Sequence, residues 1–261
     1  MVFEVPSRHE EFTLFIRVST TRPEKIRIIV KDADMANTVF TDRFKTVNGE
    51  VSFFVRMPVS GKRIYAIIYN ERVGNLDEGQ DDSFKVLEVK KMPLEKKMDV
   101  IDFGDSQLRT FVKFCTKFCF NAGQLTSGTY KSSDGRFTIE YLPTIKRKNG
   151  TESSTPARIG VESGIIQVSK SKFLPMTVPM RMAILLHEYS HFYVNDQMDD
   201  EIEADLNGLL IYLGLGYPRI EAYEAFLKTF DSAPTQMNKE RYDIINKFIN
   251  DFEKHNFIVY E

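Results

Sequence analysis

His187-Glu188-Tyr189-Ser190-His191 sets two imidazoles four residues apart around a glutamate. On a helix, positions i and i+4 lie about one turn apart on the same face, so both rings can reach one ion. Glu188 points to the neighbouring edge of that face, where it can hold a metal-bound water without ligating the metal. The chain has 261 residues and four histidines, His9, His187, His191 and His255, of which two fall at this spacing. Accident is a poor explanation in a chain so sparing of histidine.

The preceding run, Met180 to Leu186 (MRMAILL), contains good helix formers and no glycine or proline. Pro179 suits the first turn of a helix, with Thr177 or Val178 just outside it. Ile184, Leu185, Tyr189 and Phe192 form an apolar set that buries this helix, as rigid ligands in a partly dry cavity require. Asn195-Asp196 is the expected stop. A second helix follows, capped by Asp199 or Asp200, with Ile202, Leu206, Leu209, Leu210 and Leu213 as its apolar stripe. Gly214 and Gly216 end it before Pro218. A turn of about four or five residues folds the two into an antiparallel hairpin. That brings Glu201-Ile202-Glu203-Ala204-Asp205 beside the histidines.

Catalytic zinc takes three protein ligands and leaves one position to water, so two histidines are incomplete. Phe192 to Gln197 supplies no third histidine, and Glu201 is the best candidate, with Glu203, Asp199 and Asp200 as alternatives. Asp205, one turn after Glu201, is placed to accept a hydrogen bond from a zinc-bound imidazole and fix its tautomer. Ala204 and Gly208 are small enough to let the helices approach closely. The plainer alternative is a histidine pair satisfied by carboxylates, with Glu201 and Asp205 serving the helix macrodipole.

At these residues the chain resembles the gluzincin metallopeptidases, whose pattern is H-E-x-x-H followed by a glutamate in E-x-x-A-D or E-x-x-x-D. The resemblance implies Zn2+ held by His187, His191 and Glu201, Glu188 as general base, and Asp205 as the residue that orients an imidazole. It implies hydrolysis of a peptide or protein substrate. Nine residues separate His191 from Glu201, fewer than in most members, so the alternatives to Glu201 stay open. In zincins an edge strand beside the active-site helix pairs with extended substrate. Ile165 to Ser169, directly before the helix, takes that role by resemblance, or is an interior strand. Tyr217, Arg219, Tyr223 and His255 are the candidates for stabilising an oxyanion.

The rest of the chain bounds the setting. A hydrophobic content of 42% with 12% aromatics is enough for one large or two modest cores. A formal charge of −2 gives no general attraction to nucleic acid or membrane. No apolar run is long enough to span a bilayer, and no basic start leads into an apolar stretch, so a cytoplasmic protein without a signal peptide is expected. Cys115 and Cys119, four apart in a helical segment, read as free core thiols.

The expected fold class is α+β. Residues 1–98 read as a β-sandwich interaction domain of six or seven short strands, including Phe12–Val18, Lys25–Val30, Val51–Arg56 and Arg63–Tyr69. Arg22-Pro23-Glu24 and Ser60-Gly61 punctuate it, and Asn48-Gly49 is the expected hairpin turn. Val73 to Asp82 reads as a polar loop and Met92 to Asp105 as the linker. Residues 99–261 read as a zincin-like metallopeptidase domain. It has a helix over Ser106–Asn121, strands over Phe137–Tyr141 and Ile165–Val168, a polar excursion over Ile145–Thr155, and helices over Pro218–Phe230 and Asn238–Lys254. This domain order also resembles proteins that tailed phages of gut bacteria build into the tail or neck of the virion. That resemblance implies an alternative role: a virion component that assembles with itself into a ring or with other virion proteins, its zinc structural or tied to assembly.

Overall fold

A computed structural model describes residues 1–74, 81–96, 105–231 and 234–256. Most of the expected loop at 73–82 and linker at 92–105, and the side chain of His255, lie outside the described residues. The chain divides into two compact units, the first spanning Met1–Glu95 and the second starting at Lys96. No helix among the described residues is long and apolar enough to cross a membrane.

The first unit is one five-stranded sheet built from β1 (Val2–Pro6), β2 (Phe12–Asp32), β3 (Val39–Met57), β4 (Arg63–Asn70) and β5 (Phe84–Met92). This corrects the expectation of six or seven short strands: there are five, and two of them are long. Phe12–Val18 and Lys25–Val30 are two halves of one strand, and Asn48-Gly49 lies inside β3 instead of closing a hairpin. β2 and β3 pair antiparallel from Phe12 opposite Met57 to Thr20 opposite Gly49, then resume at Glu24 opposite Val47. Thr21, Arg22 and Pro23 are thus set against the single residue Asn48, and Gly49 takes a φ of 79°. Two turn signals that meet at the same level of one ladder make a bulge. Pro23 is tolerated there because a bulged residue needs no ladder N–H.

β5 pairs with the first half of β2 and β4 with the second half, while β1 edges β4. Leu14, Ile16, Val18, Ile26, Ile28 and Val30 are fully buried along one face of β2.

The turn from β1 to β2 is the strained point of this unit. Arg8 and His9 both take positive φ, 54° and 60°. Glu10 N closes the turn on Ser7 O at 2.9 Å, while Arg8 N and His9 N bond Lys62 O and Gly61 O at 2.8 and 2.7 Å.

The second unit is α+β. It runs α1 (Ser106–Asn121), β6 (Gly128–Lys131), β7 (Thr138–Leu142), β8 (Ala157–Ile159), β9 (Ile166–Ser169), a single turn α2 (Lys170–Phe173), α3 (Val178–Tyr193), α4 (Glu201–Gly214), α5 (Arg219–Asp231) and α6 (Gln236–Asn256). The sheet order is β6-β7-β9-β8, with β7 and β9 parallel and β8 antiparallel to β9. β9, the strand expected at the edge, is therefore interior; β8 holds the edge beside α3.

α3 is the central element, wrapped by α1, α4, α5 and β8, and nearly every residue from Val178 to His191 is buried. Arg181, on this buried helix, is fully enclosed. Its guanidinium donates to Cys119 O at 2.9 Å, Leu174 O at 3.0 Å and Phe173 O at 3.1 Å. Those carbonyls belong to the ends of α1 and α2, where helical partners run out. Cys115 and Cys119 are free and buried on α1, and burial pushes both thiols up.

Replacing Arg8-His9 by Asn-Gly, the pair suited to two successive left-handed residues, should raise stability by about 1–2 kcal/mol. The denaturation midpoint of the double variant measures this, and an unchanged or lower midpoint would show that the turn is not strained.

Candidate metal centre

Local rules start both helices of the site. Thr177 caps α3, its side chain accepting from Met180 N at 3.3 Å and donating to the buried carboxylate of Glu221 at 2.5 Å. Asp200, not Asp199, caps α4 by accepting from Glu203 N at 2.9 Å. The turn between them spans residues 194–200, longer than expected, and is tied down by its own side chains. Asn195 Nδ2 donates to Asp200 O, and Asn207 Nδ2 donates to Asn195 Oδ1, both at 3.0 Å.

α4 runs antiparallel to α3 at close range. A Cβ on Gly208 would stand 2.9 Å from His187 N and 3.0 Å from His187 Cα, so only glycine fits. Ala204 is fully buried. This approach carries Glu201 and Asp205 to the histidines.

Each imidazole is held from behind. His191 Nδ1 lies 2.7 Å from Met198 O, so it is the protonated nitrogen that donates to this carbonyl. His187 Nδ1 lies 2.9 Å from Asp205 Oδ1, a close contact whose N–H points off the line of a regular hydrogen bond. Both Nε2 atoms therefore face forward, 3.1 Å apart. Glu201 completes the group, with Oε2 3.6 Å from His187 Nε2 and Oε1 3.7 Å from His191 Nε2. Donor atoms of His187, His191 and Glu201 all lie within 4.8 Å of one another.

The chemistry of this donor set fits a divalent cation. Two lone pairs facing each other repel unless a proton or a metal ion lies between them. Two imidazole nitrogens on a tetrahedral zinc, each about 2.0–2.1 Å from the ion, stand about 3.3 Å apart, close to the separation here. Two carboxylates, Glu201 and Asp205, meet one guanidinium, Arg241, with Glu188 buried beside them, so acids outnumber the arginine at the site. Of the other acids considered as ligands, Asp200 is engaged as a cap and Glu203 faces Asp196 N at 3.5 Å. Asp199 lines the hollow but does not join the donor group.

Glu188 is 7% exposed and stands beside the histidines. Burial pushes its carboxyl up to about 7, opposed by His187, reinforced by Glu201, and moderated by a hydrogen bond from the Ile159 N–H of β8 and by Arg241. Burial works against a charged His187, but Asp205, Glu188 and Glu201 outweigh it and hold its pKa above the ordinary imidazole value. Burial and His187 together lower that of His191.

These groups line a hollow of about 440 Å3. Ala157, Arg158 and Ile159 of the edge strand form part of its wall, as do Ile184, Phe226 and Phe230. Tyr217, Arg219 and Tyr223 do not line it: Tyr217 stacks on Tyr212, and Tyr223 Oη donates to Asn246 Oδ1 at 2.8 Å. Arg241 of α6 does line it, although nothing in the helix expected over Asn238–Lys254 singles it out in the sequence.

No protein-family profile matches the chain, and no curated protein or solved structure is significantly similar to it.

Gly208→Ala should cost about 1–3 kcal/mol and weaken metal retention, because the added methyl pushes on the backbone of His187 itself. Metal content after dialysis, read beside a melting curve, tests this; full retention at unchanged stability would contradict the close approach. A metal ion at this site would compete with protons, since the neighbouring carboxylates hold the His187 pKa above the ordinary imidazole value. Affinity for a divalent metal ion should therefore fall as pH drops through the range in which His187 takes up its proton, with protons released on binding. A chelator-competition titration across that range checks the sign, and a flat profile would refute it.

Proposed function

We propose that the second unit is a zinc-dependent, gluzincin-like metallopeptidase domain that hydrolyses peptide bonds. The observation that carries this reading is the convergence of two forward-facing Nε2 atoms and the Glu201 carboxylate beside a buried second glutamate, Glu188, in an open hollow. His187, His191 and Glu201 hold the ion, while Met198 O and Asp205 fix the two rings. Bound zinc supplies polarisation of the scissile carbonyl and an acidified water.

Glu188 does the proton work. It takes a proton from the water as the oxygen bonds to the carbonyl carbon, and returns it to the amine nitrogen as the C–N bond breaks. Burial raises this carboxyl above the ordinary glutamate range, which favours its holding the proton between the two steps.

β8 is the favoured place for substrate. As an edge strand it pairs only with β9 among the described strands and lines the hollow along Ala157, Arg158 and Ile159. An extended peptide laid along it would add a strand to the sheet and pass its backbone in front of Glu188.

Glu188→Gln keeps the shape of the site and removes the base. It should bind zinc as the wild type does and lose about 10²–10⁴-fold in peptide hydrolysis. Turnover of a quenched fluorescent peptide library, with metal content measured on the same samples, tests both halves. Undiminished turnover in the variant, or zinc-loaded wild type that cleaves no peptide, would overturn the reading.

A further inference from the structure

Arg241 is among the most committed side chains of the second unit, and nothing in the zinc reading requires it. It enters from α6, far along the chain from the histidines, and its side chain is only 10% exposed. Its guanidinium forks onto Asp205, with Nε 2.7 Å from Oδ2 and Nη2 2.9 Å from Oδ1. Phe230 lies against it, 4.8 Å from ring centre to guanidinium carbon. Nη1 then reaches Glu201 Oε2 at 2.9 Å. One planar group thus touches the carboxylate that orients a histidine and the carboxylate of the third ligand.

We propose that Arg241 is the positioning residue of the metal centre: by holding Glu201 Oε2, it leaves Oε1 as the oxygen free to ligate. This rests on the zinc reading of the site. Glu201 needs such a partner. Its side chain is 43% exposed, sits in the first turn of α4 and follows a seven-residue turn, so holding it in one rotamer costs conformational entropy. The guanidinium supplies the direction. With Phe230 and Asp205 fixing its plane and two of its edges, Nη1 is directed at Glu201 Oε2 at 2.9 Å, with Asn238 Oδ1 a longer contact at 3.5 Å. Lysine has the charge but not the fork, and cannot hold both carboxylates in fixed relation.

Titration with Co2+ tests this directly, because its visible bands report coordination number as well as occupancy. Wild type, Arg241→Lys, Arg241→Met and the exposed α6 control Lys239→Ala are compared, each first checked by melting curve. Both Arg241 variants should bind Co2+ about 10–100-fold more weakly, with bands that lose intensity as Glu201 becomes free to ligate through both oxygens. The control should match wild type. A double-mutant cycle with Glu201→Gln separates positioning from mere support: if Arg241 acts through Glu201, Arg241→Lys should add little once Glu201 is gone.

Wild type that binds no Co2+ overturns this proposal together with the zinc reading. Wild type that binds, with Arg241→Lys and Arg241→Met within twofold of it and unchanged bands, overturns this proposal alone. So do independent, additive losses in the cycle. If Arg241→Met fails to fold, Arg241→Lys and the cycle built on it still decide.

Discussion

The close approach of α4 to α3 at Gly208 is the constraint on which the second unit depends. With a glycine against the backbone of His187, the helices sit near enough for side chains one and two turns earlier on α4 to reach the imidazoles. Asp205 then meets Nδ1 of His187, and Glu201 meets the Nε2 edge of both rings. A larger residue would separate the helices at the point where the histidine backbone must be held. Packing sets distance here and polar groups set direction.

The same logic accounts for the polar groups buried around α3. A helix enclosed on nearly all sides has no solvent to absorb errors, so each polar atom on it needs a partner. Arg181 meets this by serving three carbonyls at the ends of neighbouring helices. Ser190 bonds back to Leu186 O at 2.9 Å. His191 uses the Met198 carbonyl, which makes the seven-residue turn between the helices part of the site.

What was legible in the sequence follows from range. The H-E-x-x-H spacing, the hairpin, the cap at Asp200 and the placement of Glu201 and Asp205 all depend on residues near one another in the chain, where helical periodicity converts spacing into geometry. β8 leaves no such trace, because three residues give no period to read. The Met198 carbonyl was missed because a backbone atom leaves no mark in composition, and Arg241 because an arginine in a charged run looks alike whether it faces water or a buried carboxylate. In the first unit the misreading had one physical cause. Arg22-Pro23 and Asn48-Gly49 are turn signals when taken singly; opposed across one ladder they make a bulge, and opposition is a property of the folded pair.

That bulge bears on assembly as much as on shape. Two antiparallel strands of 21 and 19 residues can in principle slide past each other by two positions and keep every side chain on its proper face. A shift of two would move three extra residues away from the one that opposes them, and would take the left-handed glycine out of its place. The interruption therefore works as a key in a lock: together with the short connection at 33–38 and a second irregularity between Val30 and Lys31, it gives a long, repetitive pairing features that match in only one alignment.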